Sequence, residues 1–149
     1  MTKAEANKIS TDEAAIRALI ESGNQAHHRR DAAAIAAPYA KDARIFDLAP
    51  PLSHHGLDRK ELEAWLDTWV GPVDRDSRDF DIAISGDLAF GHGFYRISAE
   101  SKAGGHAVFW FRATLCLQRS AGEWRIVHEH TSVPFRMDGS FLAATDLEP

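Results

Sequence analysis

The sequence predicts an α+β domain in which N-terminal helices pack on one face of an antiparallel sheet. Apolar residues between positions 15 and 23 recur at the spacing of one helix face. After Phe80 the chain is rich in aromatic and β-branched residues, and "SGD", "SKAGG" and "RSAGE" interrupt it with turn residues. Helices followed by strands are typical of α+β architecture.

The bulk composition is that of one globular domain without a nucleic-acid or membrane partner. The chain has 149 residues and 44% apolar content, enough for a core. Its net charge of −5 disfavours binding to phosphate backbones. No apolar run approaches the roughly 20 residues that span a bilayer, and the N-terminus lacks the apolar region of a secretory signal. We therefore expect a cytoplasmic protein, in which the single cysteine, Cys116, is buried and inert.

Three capping signals predict three helices. Ser10 and Glu13 fit a capping box at the start of a helix over 11–28. Asp31 precedes a short helix in "AAAIAAPYA", and Asp58 precedes a helix in "RKELEAWLDTWV". Around these elements we expect a flexible N-terminus over 1–9, one domain over 10–134 and an irregular tail over 135–149.

The predicted strands begin with "ARIFDL" (43–48) and continue after the polar connection "GPVDRDSRD". In "HAVFWFRATLCLQ" one face is wholly apolar and should meet the helices. A three-residue loop over 120–122 would pair Ala113 with Glu129 and Phe111 with Thr131, so that Glu129 points inward with Val127 and Thr131. A four-residue loop would turn every side chain of the last strand to the opposite face, so that His128 and His130 would point inward.

In the first register a second set of side chains points outward. It is too aromatic for a solvated face and predicts a covered surface, most simply a homodimer interface. The set comprises Trp110, Arg112, Trp124, Ile126, His128 and His130. The two histidines have the same-face spacing of metal ligands, but no third ligand is evident, so we expect no metal.

The chain resembles the nuclear transport factor 2-like superfamily, and within it the SnoaL-like polyketide cyclases and ketosteroid isomerases. "DAAAIAAPYAKDARIFDLAPPLSHHG", followed by a helix, and the closing "GEWRIVHEHTSVP" carry the resemblance. The ending is also similar to the association domain of calmodulin-dependent protein kinase II. The resemblance implies a cone-shaped fold that encloses a pocket, but this fold hosts many functions.

The resemblance implies roles for two acidic residues. The general base of ketosteroid isomerases would fall on Asp47, whose other reading is a cap of the following turn. The acid/base residue of SnoaL-like cyclases would fall on Glu129. The isomerase tyrosine on the first helix would fall near Gly23, and its protonated aspartate near residues 112–114, where no acid is present. A steroid isomerase mechanism would therefore lack its hydrogen-bond donors.

The first hypothesis is a cofactor-free acid/base isomerase or cyclase in which Asp47 and Glu129 move a proton on an apolar, cyclic carbonyl compound. The side chains expected to shape its pocket are Tyr39, Trp65, Trp69, Phe111, Val127 and Thr131. The alternative is a non-catalytic module of the same fold that binds a small ligand or assembles through its sheet. Its main surface would then be Trp110, Arg112, His128 and His130.

Overall fold

The structure, a computed structural model, describes residues 1–149, with the side chains of residues 1–5, 7, 8 and 10–149. Three helices accompany one six-stranded sheet of order β2-β1-β6-β5-β4-β3. The elements are α1 (Lys3–His28), α2 (Ala32–Ala36), β1 (Tyr39–Phe46), β2 (His54–His55), α3 (Arg59–Leu66), β3 (Trp69–Ser85), β4 (Leu88–Ser101), β5 (His106–Ser120) and β6 (Glu123–Ser132). None of the helices in the described part of the chain combines the length and apolarity needed to cross a bilayer.

Helix α1 begins earlier than the sequence predicts. Thr2 and Glu5 form the capping box, and residues 3–9 contribute the first turns, so a helix start at Thr11 is wrong. No glycine or proline lies between Thr2 and Ser10, so the helix extends to the upstream residue. The other two caps are confirmed: the side chains of Asp31 and Asp58 accept backbone hydrogen bonds at the starts of α2 and α3.

Helix α3 ends at Leu66, four residues before the predicted end, and Trp69 opens β3 instead. The segment "GPVDRDSRD", which we expected to be a connection, lies within this 17-residue strand. It pairs with β4 from Trp69 opposite Ser101 to Ser85 opposite Leu88. Because β3 is the edge strand, polar side chains there reach solvent at little cost.

Strand β1 runs parallel to β6, while the β3–β4, β4–β5 and β5–β6 pairs are antiparallel. It covers 39–46 rather than 43–48, so Asp47 lies just beyond it. Ile16 and Ile20 of α1 are buried in one cluster with Leu115 and Leu117 of β5. The helix therefore covers the apolar face of β5, as the alternation in the sequence predicts.

The last hairpin differs from the predicted register in two ways that compensate. Its loop has two residues, Ala121 and Gly122, both with positive φ (51° and 83°), and Arg119 lies opposite Trp124. A bulge at Val127 then shifts the register by one, so that Glu129 lies opposite Leu115 rather than Ala113. The shorter loop alone would turn Glu129 to the opposite face of the sheet, and the bulge turns it back to the predicted face.

The bulge divides β6 into two halves of opposite phase. Before it, Trp124 and Ile126 are buried in the core, so their predicted outward direction is wrong. After it, Glu129 and Thr131 share the inward face. Val127 at the bulge has no partner across the hairpin and does not belong to that face, contrary to the prediction.

Candidate functional site

A cavity lies between α1, the start of β1 and the inner face of the sheet. Its empty volume is about 280 Å³ including its opening to solvent. Between the side chains it leaves room for about one water molecule. Apolar side chains such as Leu19, Ile20 and Ile35 line much of it, and the polar groups are concentrated on a few residues.

Glu129 and Tyr39 form the polar centre of the cavity. The Tyr39 hydroxyl donates to Glu129 Oε2 at 2.7 Å, joining adjacent strands β1 and β6. Burial raises the pKa of Glu129, partly opposed by the charge of Arg75 and by the Tyr39 hydrogen bond. Burial and the neighbouring carboxylate raise the pKa of Tyr39 well above 10.0, so its hydroxyl remains a donor at neutral pH.

His27 of α1 lies in the same lining. Its Nδ1 is 2.8 Å from the Gly23 carbonyl oxygen, which can only accept, so Nδ1 carries the proton. Burial and the positive charge of Arg75 lower the pKa of His27 to about 3. The ring is therefore neutral at pH 7, and its Nε2 is a hydrogen-bond acceptor.

Arg75 of β3 and Tyr95 of β4 complete the polar lining. The guanidinium carbon of Arg75 lies 4.3 Å from the centroid of the Tyr95 ring. Sequence reasoning missed both residues, and His27 with them. Arg75 carried no signal because its segment reads as a polar connection, and only the pairing of β3 with β4 turns its side chain inward.

Asp47 lies apart from this lining. It is exposed at the end of β1, where its Oδ1 accepts from the Leu48 amide at 2.7 Å and from the Thr131 hydroxyl at 3.3 Å. These contacts are those of a turn cap. The carboxylate still acts on the cavity at longer range, since its negative charge contributes to raising the pKa of Glu129.

The predicted aromatic pocket residues pack around the cavity rather than into it. Trp65 of α3 meets Trp69 edge-on, with ring centroids 6.0 Å apart, and also packs edge-on against His27. Phe111 is 9% exposed and packs against Tyr95. Of the six side chains expected to shape the pocket, Tyr39 lines it, whereas Trp65, Trp69, Phe111, Val127 and Thr131 lie outside its lining.

Four of the six residues predicted on the outer face of the sheet share one face in the structure: Trp110, Arg112, His128 and His130. Thr114 lies opposite His130 and Cys116 opposite His128, which places both histidines on the face of β5 that also carries Trp110 and Arg112. His128 Nδ1 donates to the Arg44 carbonyl at 2.7 Å, and Arg112 Nε donates to the Ser132 hydroxyl at 3.1 Å. Within the described residues, no group of three or more His, Cys, Asp or Glu side chains is placed to hold a metal ion.

Comparison with solved structures identifies the same architecture. An NTF2-like protein of unknown function from Pseudomonas putida KT2440 is 32% identical, with a TM-score of 0.83 over 94% of this chain and 98% of that one. A scytalone dehydratase-like protein from Novosphingobium aromaticivorans DSM 12444 is 14% identical, with a TM-score of 0.78 over 94% of this chain and 95% of that one. A calmodulin-dependent kinase II association domain-like protein from Xanthomonas campestris is 20% identical, with a TM-score of 0.67 over 78% of this chain and 84% of that one.

At 14% and 20% identity, the last two likenesses show the fold alone. No functionally curated protein matches the sequence. The model of the SnoaL-like domain family matches residues 16–136, which include α1 from Ile16 onward, all six strands and the cavity between them. The chain therefore belongs to the SnoaL-like domain family and has the NTF2-like fold.

Proposed function

We propose that this protein is a cofactor-free acid/base catalyst that transfers a proton on a small, apolar carbonyl compound, with Glu129 as the proton-transferring group. The observation that carries the proposal is the carboxyl of Glu129 in the cavity wall, hydrogen-bonded to the Tyr39 hydroxyl at 2.7 Å. Its pKa is raised by burial, which brings the group closer to the pH at which a carboxylate is an efficient base.

Tyr39 supports this role by its position. Its hydroxyl holds Oε2, and among the described side chains none donates to Oε1, which is left for a substrate proton. The ionised carboxylate would accept the proton next to a carbonyl, and the resulting acid would return it to another atom of the substrate. Isomerisation, aldol-type cyclisation and dehydration all use such a pair of transfers, and a scytalone dehydratase-like protein is among the structural neighbours.

Asp47 enters the proposal as a second acidic group rather than as the base. It is exposed, and its Oδ1 already accepts two hydrogen bonds. Its negative charge raises the pKa of Glu129, which makes the ionised form of Glu129 a stronger base. We expect Asp47→Asn to lower that pKa and to slow proton transfer without abolishing it.

The size of the cavity restricts how a substrate binds. Space for about one water molecule cannot hold a cyclic ketone, so lining side chains must move when such a compound enters. Apolar residues dominate the lining. When a substrate expels water from this apolar cavity, the electrostatic interactions of Glu129 with the bound compound would become stronger.

Hydrogen–deuterium exchange tests the proposal without knowledge of the natural substrate. Cyclohexanone is incubated with the protein in D2O, and loss of its α-proton signal is followed by ¹H NMR. The wild type should exchange these protons faster than buffer, Tyr39→Phe should be slower, and Glu129→Gln should fall to the buffer rate. Glu123→Gln, on the same strand but exposed, is the matched control and should behave as wild type. Equal rates for Glu129→Gln and wild type would refute the assignment.

A second proposal concerns assembly: the outer face of the sheet forms a homodimer. Large apolar side chains remain exposed there, with Phe90 at 50% and Val108 at 43%. Phe90 lies opposite Cys116 and Val108 opposite Ser98, so both share the face of Trp110. Exposed apolar area of this kind on a sheet is typical of a protein–protein interface.

Light scattering coupled to size-exclusion chromatography tests the dimer. The wild type should have twice the mass of one chain, and Phe90→Asp should shift it to the monomer. Phe141→Asp, which introduces the same charge at a tail residue that is 66% exposed, is the control and should remain dimeric. A monomeric wild type at micromolar concentration would contradict this proposal.

A further inference from the structure

Arg75 is a cation at the cavity without an acidic partner. Its Nε donates to Asn24 Oδ1 at 2.8 Å, and no carboxylate among the described residues forms an ion pair with it. The side chain is partly buried between α1 and the Tyr95 ring. Charged groups removed from water are normally paired, so an arginine held by one neutral amide and one ring leaves its charge available.

Gly23 allows this position of the guanidinium. A Cβ atom at residue 23 would lie 2.7 Å from Arg75 Nη2, closer than side-chain carbons approach other heavy atoms. Glycine inside a helix lowers helix stability by about 1 kcal/mol relative to alanine, and α1 carries it where the guanidinium meets the helix. The glycine therefore makes room for Arg75 beside the cavity.

Tyr95 adds a second unoccupied donor. It is 2% exposed and lines the cavity, yet its hydroxyl forms no hydrogen bond with the described residues. Burial raises its pKa to about 12, so the hydroxyl keeps its proton. The hydroxyl lies within electrostatic range of Arg75 and Glu129, and its proton is available to a ligand in the cavity.

We propose that Arg75 and Tyr95 form an oxyanion-binding site in this cavity, and that the substrate is a carbonyl compound that reacts through an enolate. The proposal rests on the assignment of proton transfer to Glu129. When Glu129 removes the α-proton, the electron pair of the C–H bond forms a C=C bond to the carbonyl carbon, and the π pair of the C=O bond moves to the oxygen, which creates the enolate. The guanidinium and the hydroxyl stabilise that negative oxygen, and the carboxylic acid of Glu129 then returns the proton to carbon.

The pKa shifts of neighbouring groups agree with a positive charge that acts inside the cavity. The positive charge of Arg75 lowers the pKa of Glu129 and that of His27, and both residues line the cavity. Arg75 also lines a polar groove on its other side, with Asp74 and Asp76. Neither aspartate pairs with it: Asp74 contacts His28, and Asp76 contacts Arg96.

The experiment uses 4-nitrophenol, whose phenolate oxygen resembles an enolate oxygen and absorbs visible light. Titration of the probe with wild-type protein should show binding of the phenolate and a lowered pKa of the bound phenol. Arg75→Gln should weaken phenolate binding by at least about tenfold, since the bond from a charged donor is lost. Nitrobenzene, which has no ionisable oxygen, should bind both proteins equally.

Two further variants separate this inference from the proposed function and from misfolding. Gly23→Ala replaces a helical glycine and should fold, but it displaces Arg75 and should weaken phenolate binding. Glu129→Gln should bind the phenolate at least as tightly as wild type, because it removes a negative charge, although it abolishes hydrogen–deuterium exchange. The inference is overturned if wild type binds no phenolate, or if folded Arg75→Gln and Gly23→Ala bind it as well as wild type.

Discussion

Acidification should destabilise the fold through His27. In the folded protein its pKa is about 3, whereas its usual value is 6.5. As the pH falls below 6.5, His27 therefore becomes protonated in the unfolded chain but stays neutral in the folded chain. The contribution of this histidine to stability is complete above pH 6.5 and decreases as the pH falls towards 3.

The magnitude follows from the two pKa values. Between pH 7 and pH 5 the free energy of unfolding should decrease by about 2 kcal/mol through His27 alone. The cause is the surroundings of the ring: burial disfavours its charged form, and the guanidinium of Arg75 repels it. A protonated ring would have to leave the cavity or draw water into it.

Urea denaturation at pH 7 and pH 5 measures this effect in wild type and His27→Gln. Glutamine does not titrate, so the variant should lose about 2 kcal/mol less than wild type between the two pH values. Glu129 has the opposite sign, because its raised pKa makes stability fall as the pH rises above 4.5, but this contribution is present in both proteins.

His28→Gln is the matched control. His28 is the next residue, but its side chain is 59% exposed and pairs with Asp74 on the surface. Its pH dependence should agree with wild type within about 0.5 kcal/mol. If His27→Gln and wild type showed the same difference between pH 7 and pH 5, the neutral, buried state of His27 would be wrong.

Three other predictions concern stability. Asp12→Ala removes one of the two carboxylates that pair with Arg119 and the acceptor of the buried Trp124 indole N–H, and should lower the free energy of unfolding by about 2 kcal/mol in urea, whereas Glu13→Ala, at an exposed pair, should change it by less than about 0.5 kcal/mol; equal effects would contradict the burial argument. Gly93→Ala would place Cβ 2.6 Å from a phenylalanine ring and should lower the thermal midpoint through a loss of about 2 kcal/mol, while Gly91→Ala, with its nearest contacts at 3.5 Å, should be milder; the reverse order would count against this packing. Glu129→Gln should raise the free energy of unfolding at pH 8 but not at pH 4, because the folded state disfavours the ionised carboxylate; urea titrations that show no gain at pH 8 would argue against a raised pKa.

Local signals in the sequence predicted most elements. Asp31 and Asp58 marked two helix starts, because an N-cap needs only a side-chain oxygen and the next three amides. The alternation in β5 identified its buried face. Thr2 was missed because Ser10 offers the same chemistry, and the choice between them depends on whether residues 3–9 stay helical.

The direction of Glu129 was predicted correctly through a wrong register. A three-residue loop was expected, but the chain has a two-residue turn followed by a bulge at Val127. The loop length alone would have turned Glu129 outward. The bulge is a tertiary feature, since it keeps both Trp124 and Glu129 on the side of the sheet that α1 covers.

The sequence by itself determined the α+β class, the apolar face of the sheet and an acidic residue on its last strand, because these depend on periodicity and on contacts between near neighbours. Only the tertiary structure decided what surrounds that acid. Tyr39 is 90 residues away from it in the chain. Arg75 reaches the cavity because β3 pairs with β4 and because Gly23 leaves space on α1. No local pattern encodes such a meeting of distant residues, since the energy that places a charge beside an acid comes from the packing of the whole domain.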